Sequence, residues 1–204
     1  EKIKVLSMQI NPHFVFNTLN TVKWMAISNK QPYIKRMIES LITLMRSVTY
    51  TRDDEIAIED ELKLLDSYVY IQKMRFVNFE VVYEVEENAK QLRILKLLLQ
   101  PFVENCIIHA FQGKNGGIIT IRIYRAGEKL HIFIEDNGCG FRMSSPSEIP
   151  TTSEKHHSDQ VGIRNVQQRI QLTYGKEYTT EIHSEEGKGT RVHLILPVIL
   201  REEP

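Results

Sequence analysis

The chain has 204 residues, of which 26 are basic and 26 acidic, so its formal net charge is zero. This balance argues against a nucleic acid partner bound through bulk positive charge. With 42% hydrophobic residues the composition is that of a globular protein, and no apolar run approaches the roughly 18 residues that a membrane span needs. The two cysteines, Cys106 and Cys139, lack ligand-like spacing and are interpreted as free thiols of a reducing compartment.

The first 76 residues contain no glycine, and their apolar residues follow a helical period. The pattern predicts a long helix to about Ser28, a break at SNKQP, and a helix over about Tyr33 to Tyr50. A third helix is predicted over about Ile58 to Phe76, with one face formed by Leu62, Leu65, Val69 and Gln72. Two antiparallel helices make half of a four-helix bundle, so we predict a homodimer.

The remainder contains all ten glycines and alternates as strands do. Helices are predicted over Lys96–Phe111 and Ile163–Tyr174. The predicted strands are Glu80–Glu86, Ile118–Arg125, Lys129–Glu135, Tyr178–Ser184 and Thr190–Pro197. Together they predict a mixed sheet with helices on one face, an α+β sandwich. The polar stretch over about 142–160 is too long for an ordinary connection and is predicted to be a mobile lid.

The first predicted helix contains a proline in its interior, where it costs roughly 3 kcal/mol. Its apolar residues form two stripes rotated by roughly a third of a turn. They are Ile3, Leu6, Ile10 and Phe14 before the proline, and Val15, Leu19, Val22 and Ala26 after it. A kink at Pro12 would let both stripes face one partner, and we favour it. The alternative is a helix that starts afresh at Pro12 with Asn11 as its N-cap.

A polar ridge runs along the same predicted helix, formed by Gln9, His13, Asn17, Asn20 and Trp24 at spacings of three or four. A solvent-facing row would explain any single histidine on such a surface. His13 is, however, the only histidine among the first 108 residues, and it directly follows the costly proline. We therefore interpret His13 as a candidate functional residue.

Four short motifs in the second half suggest nucleotide chemistry, although each alone also fits an ordinary polar edge or turn. ENCIIHA places Glu104, Asn105 and His109 on a helix, where an amide beside a carboxylate can orient Mg²⁺. EDNGCGF ends a strand at Asp136, whose carboxylate can accept a hydrogen bond from the amine of adenine. VGIRNV places Gly162 before a predicted helix N-terminus, which favours phosphate. EEGKGT is a glycine turn between strands.

In this order and spacing, the motifs resemble those of sensor histidine kinases. QINPHFVFNTLN is similar to the phosphoacceptor motif of the LytS/YesM type, ENCIIHA to the N box, and DNGCG, VGIRN and GKGT to the three glycine boxes. The resemblance covers essentially all 204 residues. It implies dimerisation and histidine phosphotransfer helices over 1–55, then a GHKL/Bergerat-type ATP-binding sandwich over 56–204.

The resemblance also implies a role for each matching residue. His13 would accept the γ-phosphoryl group of ATP, Asn105 would hold Mg²⁺, and Asp136 would recognise adenine. Gly138 and Gly140 would shape the pocket, Gly162 and Asn165 would flank the phosphates, and Gly187, Gly189 and Thr190 would close its rim. Near pH 7 neutral imidazole is already nucleophilic, and phosphoryl transfer needs chiefly positioning and charge neutralisation.

Three positions depart from the pattern found in many histidine kinases. Phe14 follows the phosphoacceptor where an acidic residue is common, so Gln9 and Asn17 become the candidates to orient the ring. Asn17 also lies four residues after His13, where other kinases position water to dephosphorylate their regulator. Gln160 replaces a glycine that usually opens the second glycine box. Ile108 occupies an often basic position, which leaves phosphate contact to His109 or to Arg142 and Lys155 of the lid.

The predicted function is autophosphorylation of His13 and transfer of the phosphoryl group to an aspartate of a response regulator receiver domain. We expect a homodimer that forms the cytoplasmic portion of a membrane-anchored bacterial protein, with membrane contact only through preceding N-terminal segments and no nucleic acid partner. Two alternatives stay open. One is a GHKL-type ATPase that uses Glu104 as its base, and the other is a degenerate, non-catalytic dimeric signalling module.

Overall fold

The computed structural model describes residues 12–49, 54–75, 79–111, 116–141 and 157–200. Within those ranges no helix combines the length and apolar character needed to cross a membrane. The chain divides into two compact units, Glu1–Arg52 and Asp53–Pro204. The predicted lid over 142–160 lies almost entirely outside the described residues, as do Gln9 and the first apolar stripe up to Ile10.

The first unit is a helical hairpin. Helix α1 spans Pro12–Ser28 and helix α2 spans Pro32–Thr49, and the two helices pack against each other. The break predicted at SNKQP is confirmed: Lys30 takes a left-handed φ of 53°, and a proline then begins α2. Whether the chain before Pro12 continues α1 through a kink stays a prediction, because residues 1–11 are outside the described range.

The interior of the hairpin differs in part from the predicted second stripe. Ala26 is buried as predicted, but Phe16, which the stripe omits, is equally buried. Val22 is exposed, while Val15 and Leu19 are half-buried. The guanidinium of Arg46 on α2 lies 5.8 Å from the centre of the Phe16 ring, so this ring contacts the second helix of the hairpin.

The second unit contains the sheet. Its strands are β1 Glu55–Ala57, β2 Phe79–Val85, β3 Arg93–Leu95, β4 Gly117–Ala126, β5 Lys129–Asp136, β6 Thr180–Glu185 and β7 Gly189–Pro197. Its helices are α3 Ile58–Arg75, α4 Gln100–Asn105 with a π-helical turn over Cys106–Ala110, and α5 His157–Tyr174, besides a 3-10 turn at Glu87–Ala89. The main sheet has the order β2-β4-β5-β7-β6, in which only the β2–β4 pair is parallel, while β1 and β3 pair separately.

One face of the main sheet forms the core. Alternate residues along β4 and β5 are fully buried, and they include Ile119, Ile121, Ile123, Leu130, Ile132 and Ile134. The intervening residues lie on the other face and, apart from Ile118, most are polar or aromatic. This alternation is what a sheet covered by helices on one side requires, and it confirms the predicted α+β sandwich.

Two predicted helix boundaries are wrong. The helix predicted over 96–111 begins only at Gln100, because Arg93–Leu95 pair with β1 and Leu97 takes a left-handed φ of 57°. The helix predicted from Ile163 already begins at His157. Gly162 therefore lies inside α5, where a glycine costs only about 1 kcal/mol, too little to end the helix.

The predicted face of α3 is partly correct. Leu65 and Val69 are buried, whereas Leu62 and Gln72 are only half-buried. The face also includes residues that the prediction omitted, namely Ile58, Glu61, Leu64 and Tyr68. The buried face is thus wider than the predicted stripe and includes a carboxylate.

Candidate functional site

His13 lies in the first turns of α1 with its side chain exposed. The amide Nδ2 of Asn17, one helical turn further on, lies 3.2 Å from Nδ1 of the ring. An amide can present either its oxygen or its NH₂ group, so Asn17 can pair with either tautomer of imidazole. Asn17 thus contacts the ring, while its orienting role stays a prediction and Gln9 lies outside the described residues.

The N-box residues lie where α4 changes into its π-helical turn. Glu104 and Asn105 end α4, and His109 lies within the turn; all three are half-buried. Burial, and secondarily the charge of Glu104, raises the pKa of Tyr68 on α3. Tyr68 is thus close enough to Glu104 to feel the charge of its carboxylate.

Asp136, at the end of β5, is held by groups from two motifs. Its Oδ1 accepts a hydrogen bond from the backbone N–H of Gly138 at 2.8 Å. Its Oδ2 accepts the Sγ–H of Cys106 at 3.5 Å, and Cys106 directly follows Asn105. Burial and the nearby Asp136 carboxylate raise the pKa of Cys106, which keeps the thiol protonated as a donor. The N box and the first glycine box therefore meet at this carboxylate.

Gly138 lets the N box and the first glycine box pack together because it has no side chain. A Cβ at Gly138 would lie 2.3 Å from the Cβ of Ala110 and 2.4 Å from its carbonyl oxygen. The following residue, Cys139, donates its backbone N–H to the same carbonyl at 2.8 Å. A glycine is needed here because the backbone at Gly138 packs closely against the end of the π-helical turn. The sequence alone did not predict this contact.

The third glycine box joins the same loop. Gly187 donates its N–H to the carbonyl of Cys139 at 2.6 Å. Gly189 has a φ of 100°, and a Cβ there would lie 2.0 Å from the backbone oxygen of Asp136. The hydroxyl of Thr190 lies 2.9 Å from the Ser184 hydroxyl. Gly140, with a φ of 58°, packs equally closely against the backbone of β6.

The second glycine box lies on α5 rather than before it. Gly162 is half-buried inside the helix, and a Cβ there would lie 4.0 Å from the Cβ of Pro101, at the start of α4. Asn165 is exposed. The free helix N-terminus that the sequence suggested at Gly162 is not there, so phosphate contacts expected from that terminus are not supported at this residue.

The polar side chains at the end of α4 suit a hard cation. The amide oxygen of Asn105 and the carboxylate of Glu104 are oxygen donors on adjacent residues, and Mg²⁺ carried by a nucleotide takes only one or two protein ligands. In the described ranges, no group of three His, Cys, Asp or Glu side chains is arranged to hold a metal ion. The donor set thus fits a magnesium ion that arrives with phosphates.

Sequence reasoning overlooked two residues around this site. Cys106 had no signal beyond its place in the N box. Glu61 reads in the sequence as a surface acid, although it lies among the buried residues of α3. Its side chain is 1% exposed and bonds to backbone N–H groups just before α4.

Both units of the chain match known protein families. Residues 1–79 match the family model described as histidine kinase, and residues 90–200 match that of the histidine kinase-, DNA gyrase B- and HSP90-like ATPases. The chain is 34% identical to the sensor histidine kinase YesM of Bacillus subtilis over 96% of its length and 33% of that protein's. It is 28% identical to the sensor protein LytS of Bacillus anthracis, over 99% and 35% respectively. The chain thus spans about a third of the length of these relatives.

Solved structures share the fold. The histidine kinase domain of the blue-light activated histidine kinase from Erythrobacter litoralis superposes with a TM-score of 0.53 at 17% identity, covering 92% of this chain and 94% of that one. The catalytic domain of the histidine kinase ThkA gives a TM-score of 0.54 at 17% identity, covering 72% of this chain and 97% of that one. At such identities the likeness concerns the fold alone.

Proposed function

The chain belongs to the histidine kinase family, and from that premise we propose that it is the kinase core of a two-component sensor. In this proposal ATP phosphorylates His13, and the phosphoryl group then passes to an aspartate of a response regulator. The observation that carries the proposal is the exposed His13 ring with Asn17 bonded at Nδ1. An exposed, oriented imidazole on a helix is what a phosphoacceptor requires.

The transfer step needs the tautomer with its proton on Nδ1. The Asn17 amide supports that tautomer when its oxygen, rather than the Nδ2 atom found 3.2 Å from the ring, is turned towards Nδ1. The lone pair on Nε2 then attacks the γ-phosphorus of ATP. A phosphorus–nitrogen bond forms, the bond between the γ-phosphorus and the bridging oxygen breaks, and ADP leaves. Mg²⁺, when bound, neutralises charge on the phosphates. Asn105 and Glu104 would hold that ion.

The nucleotide would lie where the N box and the first and third glycine boxes meet. Asp136 would accept a hydrogen bond from the adenine amine, oriented by its bonds from Gly138 and Cys106. Gly140, Gly187, Gly189 and Thr190 would border the base, and His109 would lie towards the phosphates. Gly162 and Asn165 would approach the phosphates through the side of α5 rather than through its N-terminus.

Autophosphorylation is tested by incubating the protein with γ-labelled ATP and Mg²⁺. Label on the protein that is lost in acid and retained in alkali supports the proposal, since phosphohistidine has that stability. Phosphate release without labelled protein would instead favour an ATPase with Glu104 as base. Failure of ATP with Mg²⁺ to raise the melting temperature would favour a non-catalytic module.

Asn17 is proposed to orient His13 and to position water during dephosphorylation of the regulator. The Asn17→Ala variant should form phosphohistidine more slowly or alter regulator dephosphorylation, while its ATP affinity stays that of the wild type. The supporting contact is the 3.2 Å approach of Asn17 Nδ2 to the ring. Unchanged rates of both reactions would refute both roles.

The partner in the bundle is proposed to be a second copy of the chain. Several large apolar side chains of the hairpin are exposed, and on α2 three of them, Ile34, Leu41 and Val48, recur at intervals of seven residues. A repeat of seven keeps one apolar row facing a partner helix. Membrane attachment through preceding segments stays an expectation from the resemblance.

A further inference from the structure

The loop before α4 has no cap of its own. It connects β3 to α4 over residues 96–99, and Leu99 makes no side-chain capping bond to the helix. Leu97 has a φ of 57°, a left-handed conformation that is costly for a residue with a branched side chain at Cγ. Such conformations persist only when the surroundings hold them, so something other than the loop itself must fix its geometry.

Glu61 supplies that support from α3. Its Oε2 accepts the backbone N–H of Leu97 at 2.8 Å, and its Oε1 accepts that of Leu99 at 3.0 Å. The side chain is 1% exposed. Burial raises the pKa of Glu61, while its hydrogen bonds from the loop and the charge of Arg169 act in the opposite direction. A carboxylate therefore caps α4 from a neighbouring helix.

A second helix holds the same loop from the other side. Arg169 of α5 donates a hydrogen bond from its guanidinium to the carbonyl oxygen of Lys96 at 2.9 Å. The backbone N–H of Lys96 in turn donates to the carbonyl of Asp54 at 2.8 Å. The loop over 96–99 is thus held by α3, by α5 and by the segment before β1.

We propose that Glu61 is a positioning residue for the phosphate-binding end of the nucleotide site. This inference rests on the proposed function, because it assumes that Asn105 and Glu104 meet the phosphates. Both residues lie at the end of α4, roughly one and a half turns beyond the loop that Glu61 holds. Asp136 is held chiefly by β5, whose strand pairs do not involve this loop, and by Gly138, while only its 3.5 Å bond from Cys106 comes from the end of α4.

The Glu61 carboxylate can accept both N–H groups of the loop, whereas the amide of a glutamine at this position cannot. Both of its oxygens accept N–H groups, whereas the Gln side chain would present an NH₂ group to one of two N–H donors. A buried N–H left unpaired costs about 1–3 kcal/mol. Glu61→Gln should therefore release one end of the loop while preserving the volume of the side chain.

The test measures the binding of two probes to Glu61→Gln and to wild type. We expect affinity for ATP with Mg²⁺ to fall about tenfold, because the released loop no longer fixes the residues at the end of α4. Affinity for adenosine, which lacks phosphates, should change less than about twofold, since β5 and Gly138 still hold Asp136 and only its long bond from Cys106 depends on α4. Equal weakening for both probes, or for neither, would overturn the proposal.

Hydrogen exchange provides a readout that does not depend on the nucleotide. The amides of Leu97 and Leu99 should be protected in the wild type, and at least one should exchange markedly faster in Glu61→Gln. Unprotected amides in the wild type would overturn the inference even if the variant failed to fold. Asp60→Asn is the matched control, because this exposed neighbour removes a charge from the same helix without touching the loop.

Arg169→Gln provides an independent variant, since its exposed side chain can be changed without disturbing the core. It should weaken ATP with Mg²⁺ in the same direction as Glu61→Gln and by a smaller factor. No effect in either variant would overturn the inference. Failure of the proposed function itself would be seen separately, as a wild-type protein that binds no ATP or forms no phosphohistidine.

Discussion

Replacing Gly138 by alanine should disturb the nucleotide site through a single steric clash. The added Cβ would lie 2.3 Å from the Cβ of Ala110 and 2.4 Å from its carbonyl oxygen. Real Cβ contacts essentially never fall below 3.0 Å, so the loop or the π-helical turn must shift. Overpacking of this kind costs about 1–3 kcal/mol.

The shift has a defined consequence for binding. The N–H of Gly138 donates to Asp136 Oδ1, and the N–H of Cys139 donates to the carbonyl of Ala110. Moving the loop away from Ala110 therefore turns the carboxylate proposed to recognise adenine. Affinity for ATP and for adenosine should both fall about tenfold, which corresponds to about 1.4 kcal/mol.

The assay pairs thermal unfolding with calorimetric titration of ATP. Gly127→Ala is the matched control, since Gly127 lies in the turn between β4 and β5 with a φ of 61° and nothing within 4 Å of its added Cβ. That variant should lose about 1 kcal/mol of stability through its backbone conformation alone and keep its ATP affinity. Wild-type affinity in Gly138→Ala would refute the reasoning.

Three further predictions concern the dimer, the buried carboxylate and α5. Leu41→Glu should weaken the dimer more than a hundredfold, because each of the two copies loses a leucine whose burial between the subunits is worth about 1.5–3 kcal/mol. Thr43→Glu, on the other side of α2, is the control and should leave the dimer unchanged. Sedimentation at several protein concentrations measures both. Burial raises the folded-state pKa of Glu61 above the unfolded value, so the stability of the wild type relative to Glu61→Gln should fall as pH rises above 4.5. Denaturant unfolding across pH 4–8 checks the sign, and a rising difference would contradict it. Gly162→Ala should stabilise the protein by about 0.5–1 kcal/mol, since alanine favours a helix interior and its Cβ has room; a lower melting temperature would refute this.

Much of the sheet could be predicted because its signal is local. β4, β5 and β7 alternate buried and less buried residues over most of their length, and each was predicted to within about a residue at its ends. The glycine turn between β6 and β7 was likewise predictable, since Gly187 and Gly189 take left-handed conformations that other residues rarely adopt.

The errors arise where distant residues decide the structure. β1 and β3 have three residues each and exist only because they pair with each other across 38 residues of chain. Leu97 ends any helix there, yet its conformation depends on Glu61, which reads in the sequence as a surface residue. No local pattern could reveal that contact.

The candidate site was predicted by motif more than by geometry. The order of the boxes identified Asn105, Asp136 and the glycines together, although each motif alone was weak. Their joining through Cys106 and Ala110 depends on side-chain and backbone contacts that the motifs do not encode. The position of Gly162 was wrong because the polar residues before it are helical without an apolar period.

Locating the phosphoryl group on the protein tests the central claim most directly. After incubation with ATP and Mg²⁺, mass spectrometry of peptides kept at alkaline pH should find the phosphoryl group on a ring nitrogen of His13. His13→Gln should bind ATP as the wild type does and carry none. A phosphoryl group on another residue, or none in a wild type that binds and hydrolyses ATP, would contradict the account.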